Sequence, residues 1–207
     1  LPNNIMWKEI LKAPPSWEID ISDLPHKTRI ALSKEKEITP RKYIQTSRHM
    51  KFKPNGLWYS FSSQYNWIDY LKDASPEWDK NYNHMITFDI TGKIFTFNTN
   101  DDYFEFIRKY GRIRNENLEM KWDEVAQDYD VLEFNKLPSR FAMDSKFGKY
   151  RVYWTDALDV SSGVVLNTSA VKNQKLIASR TDKSKTVPLR GYDDETYELY
   201  DWKKNTT

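Results

Sequence analysis

Two short segments carry the residues best suited to chemistry. The first, Lys-Pro-Asn-Gly-Leu-Trp-Tyr-Ser at residues 53–60, places a turn before a short aromatic strand that ends in a tyrosine and a serine. The second, Asp-Tyr-Asp-Val-Leu-Glu at residues 128–133, places one glutamate in an apolar strand. A rigid ring, a hydroxyl and a lone carboxylate are the groups needed to hold a ribose and stabilise a positive charge that develops on it.

Several other kinds of site are excluded or disfavoured. The sequence has no cysteine, so it has no disulfide, thiolate metal site or cysteine nucleophile, and it fits a reducing compartment. The 3 histidines lie far apart without the spacing of a zinc site, so no metal is expected. Because neither a GxGxxG nor a GxxxxGK[ST] pattern occurs, a Rossmann or P-loop nucleotide site is not supported.

The distribution of charge and apolar residues bears on partners and location. No apolar run is long enough to span a membrane, and the N-terminal residues lack the layout of a signal peptide. We therefore expect a cytoplasmic protein without a membrane partner. Residues 1–56 carry 11 Lys and Arg against 6 Asp and Glu, whereas residues 57–133 carry 8 against 15. The basic flanks are either a rim that attracts phosphate groups or ordinary scatter on a solvated surface.

Short strands mixed with short helices predict an α+β fold rather than a doubly wound parallel sheet. Hydrophobic patterns predict strands at residues 28–33, 57–61, 84–90, 93–97, 131–134, 150–154 and 164–166, with 84–97 forming a hairpin around Thr91-Gly92. Helices are predicted at residues 4–12, 39–46, 67–71, 100–110 and 121–128. We expect a single domain over residues 1–207, with an N-terminal helix and a polar C-terminal extension.

The order of these features resembles the ADP-ribosyltransferase family. It comprises a basic residue on an early strand, the run at residues 53–60, and the strand with one glutamate. Together with Asp-Val-Ser-Ser-Gly at residues 159–163, these runs resemble a toxin-like or phage-associated branch of that family. The resemblance covers roughly residues 28–166. It implies a split mixed or antiparallel sheet with short peripheral helices, NAD as a substrate, no metal, and a nucleic-acid or protein acceptor.

The family pattern also implies a role for each matching residue. Arg29 would position the nicotinamide-side ribose or phosphate, Tyr59 would stack on nicotinamide, and Ser60 would bond the ribose or orient the glutamate. Glu133 would be the catalytic carboxylate. The cofactor-binding set implied by the resemblance is Arg29, Gly56, Trp58, Tyr59 and Ser60. The paired acid of arginine-modifying members is missing because residue 131 is valine, which argues against arginine as the acceptor.

Each of these residues also has a purely structural interpretation. Trp58, Tyr59 and Ser60 fit a core strand, Arg29 fits a surface ion pair, and Glu133 fits the exposed face of an alternating strand. Residues 159–163 fit a turn that supports the strand of Glu133. At the level of function, the alternatives are a nucleic-acid-binding module, a structural protein of a virus or phage particle, and transfer of an RNA 2′-phosphate to NAD.

Overall fold

A computed structural model describes residues 17, 21–46, 52–62, 65–74, 81–114, 117–150 and 152–180, and these form the predicted α+β fold. The strands are β1 Arg29–Ser33, β2 Leu57–Phe61, β3 His84–Ile90, β4 Ile94–Phe97, β5 Gly111–Arg114, β6 Asn117–Met120, β7 Val131–Phe134, β8 Ser162–Val165 and β9 Val171–Ser179. The helices are α1 Trp67–Ala74, α2 Asn100–Tyr110, α3 Trp122–Asp128, α4 Arg140–Phe147 and α5 Tyr153–Asp156.

Seven of these strands form one mixed sheet in the order β4-β7-β8-β2-β1-β3-β9. Strands β4 and β7 are parallel, and every other neighbouring pair in this sheet is antiparallel. Strands β5 and β6 form a separate two-stranded hairpin. The glutamate segment in β7 and the aromatic segment in β2 are therefore separated in the sheet by one strand, β8.

The sheet is curled, as the short connection between β3 and β4 requires. These strands lie five positions apart, which in a flat sheet is about 24 Å. Ile90 and Ile94 bound a linker that reaches at most about 14 Å. The sheet can satisfy both conditions only if the end of β3 bends over towards the start of β4. Asp130 secures this position, because its carboxylate accepts hydrogen bonds from the Lys93 backbone N–H and the Asn167 side chain, both at 3.0 Å.

The packing of side chains agrees with a curled sheet. One face gathers residues from β1, β2, β3, β7 and β8 into a single apolar cluster, and we call it the concave face. Its buried apolar members are Ala31, Ile38, Tyr59, Phe61, Ile86, Phe88, Val131, Val165 and Ala170. The opposite, convex face divides into two clusters. The larger one is rich in aromatic rings and is centred on Phe97, Phe134, Trp122 and Trp154.

Local patterns predicted several elements correctly. Strands 57–61 and 131–134 and helix 100–110 have the predicted bounds. The helix begins as a capping box in which the Thr99 hydroxyl accepts from the Asp102 N–H and the Asp102 carboxylate accepts from the Thr99 N–H. Helix 121–128 begins one residue later than predicted, at Trp122, and helix 67–71 extends to Ala74. The predicted helix 4–12 lies outside the described residues.

Three predictions about secondary structure were wrong, and in the first two tertiary contacts override a local signal. Residues 39–46 are extended rather than helical, since the Tyr43 N–H donates to Leu166 O and Arg41 O accepts from Thr168 N–H. Strands β3 and β4 do not pair with each other, so residues 84–97 are not a hairpin. Residues 150–154 contain the start of helix α5 instead of a strand. Strands β5, β6 and β9 and helix α4 were not predicted.

Candidate active site

Glu133 and Tyr59 face each other across a single glycine. In the register of the sheet, Glu133 on β7 pairs with Gly163 on β8, and Gly163 pairs with Tyr59 on β2. Two strand spacings, about 10 Å, separate the backbones of the outer residues. A long side chain from each side can span this distance only when the residue between them leaves the space open.

Gly163 leaves that space open. A Cβ atom built on it would overlap with the ring and the hydroxyl of Tyr59, so the tyrosine ring lies directly against the glycine backbone. The Tyr59 hydroxyl donates a hydrogen bond of 2.8 Å to Oε1 of Glu133. The lack of a side chain at residue 163 is thus a requirement for the contact between the two predicted site residues.

Arg29 completes the arrangement from a third segment of the chain. Its Nε–H donates to the same Oε1 of Glu133, also at 2.8 Å. The two cross-strand partners of Arg29 are Phe61 and Phe88, whose side chains offer no hydrogen-bond acceptor. The guanidinium therefore turns towards Glu133. One quarter of the Arg29 side chain and one tenth of the Glu133 side chain remain exposed, so the ion pair lies at an edge of the concave face that solvent reaches.

The electrostatics of the cluster favour a neutral phenol at Tyr59 and a charged guanidinium at Arg29. Burial of the Tyr59 hydroxyl, reinforced by the negative charge of Glu133, raises the pKa of Tyr59 well above its usual range. Burial works against the charge of Arg29, but its interactions with Glu133 and Tyr59 outweigh this cost, so the pKa of Arg29 is raised. Tyr59 and Arg29 are thus both held in their hydrogen-bond-donating forms.

The two oxygens of the Glu133 carboxylate differ in their hydrogen bonds. Both hydrogen bonds that it accepts end on Oε1, and no residue in the described part of the chain donates to Oε2. A carboxylate oxygen can accept about two hydrogen bonds. Oε1 is therefore occupied, whereas Oε2 keeps its capacity to accept further hydrogen bonds.

Three residues of the predicted cofactor-binding set lie elsewhere. Side chains alternate along β2, so Trp58 and Ser60 lie on the convex face, away from Tyr59. Trp58 stacks on Phe134 with ring centroids 5.9 Å apart. Ser60 is buried, and its hydroxyl oxygen accepts from the Trp67 N–H at the start of α1, at 3.3 Å. A Cβ on Gly56 would overlap with the Val164 side chain, which makes Gly56 a packing position.

The predicted stacking role of Tyr59 does not agree with its placement. The ring is 1% exposed. Phe61 and Phe88 make edge contacts with it, at centroid distances of 5.7 and 5.2 Å. The alternative expectation of an exposed Glu133 was also wrong, since the residue is 8% exposed.

The role of Gly163 was not among the predictions made from the sequence. Residues 159–163 fitted a supporting turn, but Ser162 and Gly163 already belong to β8. A signal was present, because the sequence has only 6 glycines and this one precedes the apolar residues 164–166. Such a glycine within a strand indicates a close approach by a neighbouring group.

A second cluster lies on the convex side, near the start of β2. The Lys53 ammonium is 4.8 Å from the centroid of the Trp58 ring and 5.5 Å from that of Trp67. Burial lowers the pKa of Lys53, and the negative charge of Asp159 opposes that shift. Cation–π contacts of this kind connect the loop before β2 to helix α1.

Neither a cluster of metal-ligating side chains nor a membrane-spanning helix occurs in the described residues. No group of three His, Asp or Glu there could hold a metal ion. No helix in the same residues is both long and apolar enough to cross a membrane.

Comparisons with family models, with curated proteins and with solved structures give no match for this chain.

Proposed function

We propose that the protein transfers ADP-ribose from NAD to a macromolecular acceptor and releases nicotinamide. The observation that carries this proposal is the meeting of Arg29, Tyr59 and Glu133 at one edge of the concave face. They come from β1, β2 and β7, in the chain order that the ADP-ribosyltransferase resemblance implies. An ADP-ribosyltransferase type of sheet is part of the same proposal.

The chemistry needs an anion beside a sugar. Cleavage of the nicotinamide–ribose bond builds positive charge on the ribose, as in the cleavage of a glycoside. Glu133 would accept a ribose hydroxyl on Oε2, and its negative charge would stabilise the transition state. A fixed group of this kind contributes about 3–4 kcal/mol. Because Arg29 and Tyr59 are already in place, little reorganisation is needed when NAD binds.

Arg29 supplies the complementary charge for the substrate. Its guanidinium is planar and permanently charged, which suits a phosphate group. The Arg29 side chain is more exposed than that of Glu133, so it can contact a bound nucleotide while its Nε–H remains on the carboxylate. Arg29 would thus hold the phosphate or ribose next to the reacting bond.

Burial of a glutamate beside an arginine does not by itself define an active site in this protein. Glu119 on β6 is also buried, and its Oε2 is 3.3 Å from the Arg112 side chain. That pair lies within the β5–β6 hairpin, where Arg112 and Glu119 are opposite each other. Their contact is local to the hairpin, whereas Glu133 accepts hydrogen bonds from residues that are distant in the sequence. Glu119 therefore serves as a matched control.

The acceptor would be a nucleic-acid base or a protein side chain other than arginine. Two residues before Glu133, on the same face of β7, lies Val131, which is completely buried. The site therefore has one carboxylate where arginine-modifying members of the family carry two. The basic flanks of the sequence favour a nucleic-acid acceptor through attraction to phosphate.

The test is incubation with NAD labelled in the adenylate part, together with separate pools of DNA, RNA and cell protein. We expect nicotinamide release and transfer of label to one pool. Glu133→Gln should reduce both by at least about a hundredfold, since it removes the charge and keeps the shape. Glu119→Gln should leave both near the wild-type level.

Two results of this test would contradict the proposed function. A Glu133→Gln variant that folds and still turns over NAD at the wild-type rate would refute the proposal. Salt-sensitive binding of nucleic acid without any release of nicotinamide would instead identify a binding module.

A further inference from the structure

We infer that Tyr59 is a positioning residue, whose hydroxyl fixes the rotation of the Glu133 carboxylate so that Oε2 is presented to the substrate. This inference rests on the proposed transfer of ADP-ribose and concerns the same site. It differs from the role that the family resemblance implies for Tyr59, because the tyrosine acts through its hydroxyl and the ring itself has no contact with nicotinamide.

The first support is the rigidity of the tyrosine. Its ring is held between Phe61, Phe88 and the backbone of Gly163, and it has almost no exposed surface. A side chain packed in this way keeps one rotamer. The hydroxyl is therefore a fixed donor, in contrast to the partly exposed Arg29.

The second support is the distribution of hydrogen bonds on the carboxylate. A glutamate held by Arg29 alone could rotate about its last bond and change the direction in which its second oxygen points. Two donors that arrive from β1 and β2 and end on the same oxygen restrict this rotation. Oε2 is then the oxygen that remains for a ribose hydroxyl.

The third support is the protonation state of the phenol. A positioning hydroxyl must donate its proton to the carboxylate. Burial and the neighbouring negative charge raise the pKa of Tyr59, so the hydroxyl stays protonated at neutral pH. The geometry and the raised pKa thus both indicate that the Tyr59 hydroxyl donates the hydrogen bond and Glu133 accepts it.

The test compares Tyr59→Phe with Tyr103→Phe. Tyr103 is also completely buried, and its hydroxyl donates to Lys136 O at 2.7 Å. Both substitutions remove one oxygen and one hydrogen bond from the interior, but only Tyr59 contacts Glu133. Urea unfolding establishes that each variant is folded before its activity is measured.

We expect Tyr59→Phe to lower kcat for nicotinamide release about ten- to a hundredfold, the worth of one hydrogen bond to a charged group. The KM for NAD should change less than about twofold, because the ring, the packing and Arg29 remain. Tyr103→Phe should change neither constant.

Other results would overturn the inference, each in a distinguishable way. If Glu133→Gln is inactive and Tyr59→Phe has the wild-type kcat, the proposed function survives and the positioning role does not. A rise in KM alone, with kcat unchanged, would assign Tyr59 to substrate binding. If wild-type protein releases no nicotinamide, the inference fails together with the proposed function.

Discussion

The hydroxyl of Tyr59 and the carboxylate of Glu133 are 2.8 Å apart although their strands are not neighbours in the sheet. Gly163 lies between them in the register and contributes no side chain. Arg29 bonds the same carboxylate oxygen from β1. The arrangement of these three side chains therefore depends on a fourth residue that has no side chain of its own.

Gly163→Ala should lower the free energy of unfolding, because the new methyl group would overlap with the Tyr59 ring. Overpacking of this kind costs about 1–3 kcal/mol. The cost should be smaller in a Tyr59→Leu background, where the overlapping ring atoms are missing. Urea unfolding of the four proteins in this double-mutant cycle measures the difference. Equal costs in the two backgrounds would contradict the proposed overlap.

Ser60→Ala should reduce stability without the loss of turnover expected for Tyr59→Phe. The Ser60 hydroxyl accepts from the Trp67 N–H at the start of α1, on the side of the sheet opposite Glu133. Loss of such an acceptor costs about 0.5–2 kcal/mol. Urea unfolding and steady-state kinetics on the same preparation separate the two effects. A large fall in kcat with unchanged stability would instead indicate that Ser60 belongs to the active site.

Asp130→Ala should lower the free energy of unfolding, because it removes contacts that hold the sheet in its curled form. The aspartate accepts from the Lys93 N–H and the Asn167 side chain, which connects the start of β7 to the linker between β3 and β4. Two such hydrogen bonds contribute about 1–3 kcal/mol. Asp144→Ala, which removes an exposed carboxylate 4.0 Å from Arg140, should have little effect. Similar unfolding free energies for both variants would argue against this role of Asp130.

The capping box of α2 should make the free energy of unfolding depend on pH in the acidic range. Burial is the largest single influence on the pKa of Asp102 and raises it, but the hydrogen bonds from the Asn98 N–H, the Thr99 N–H and the Thr99 hydroxyl together outweigh burial and lower the pKa of Asp102. A folded-state pKa below the unfolded value, about 3.9, stabilises the protein above that pH. This contribution is lost as the pH falls through the folded-state pKa.

Unfolding measured from pH 7 down to about pH 2.5 tests this dependence. Asp102→Asn should be less stable than the wild type at neutral pH, and the difference should narrow below about pH 4, where the wild-type carboxylate becomes protonated. Asp101→Asn removes the same charge from the same helical turn without the capping bonds. A difference that stays constant across the whole range would contradict the assignment.

Local sequence patterns were reliable where short-range physics decides the structure. The alternation at 57–61, the apolar run at 131–134 and the helical period of 100–110 each predicted an element with its correct bounds. They failed where a distant segment competes for the backbone. Thr39-Pro40 resembles a helix start, yet the hydrogen bonds of residues 41–43 go to residues 166–168.

The sequence by itself determined the α+β class and the strands on which Arg29, Tyr59 and Glu133 lie, because side-chain periodicity and turn residues act over a few positions. Only the tertiary structure decided that these three residues meet, and that Trp58 and Ser60 face away from them. The reason is that strand order and register depend on contacts between residues far apart in the chain. Gly163 shows this dependence: its lack of a side chain matters only because β8 lies between β7 and β2.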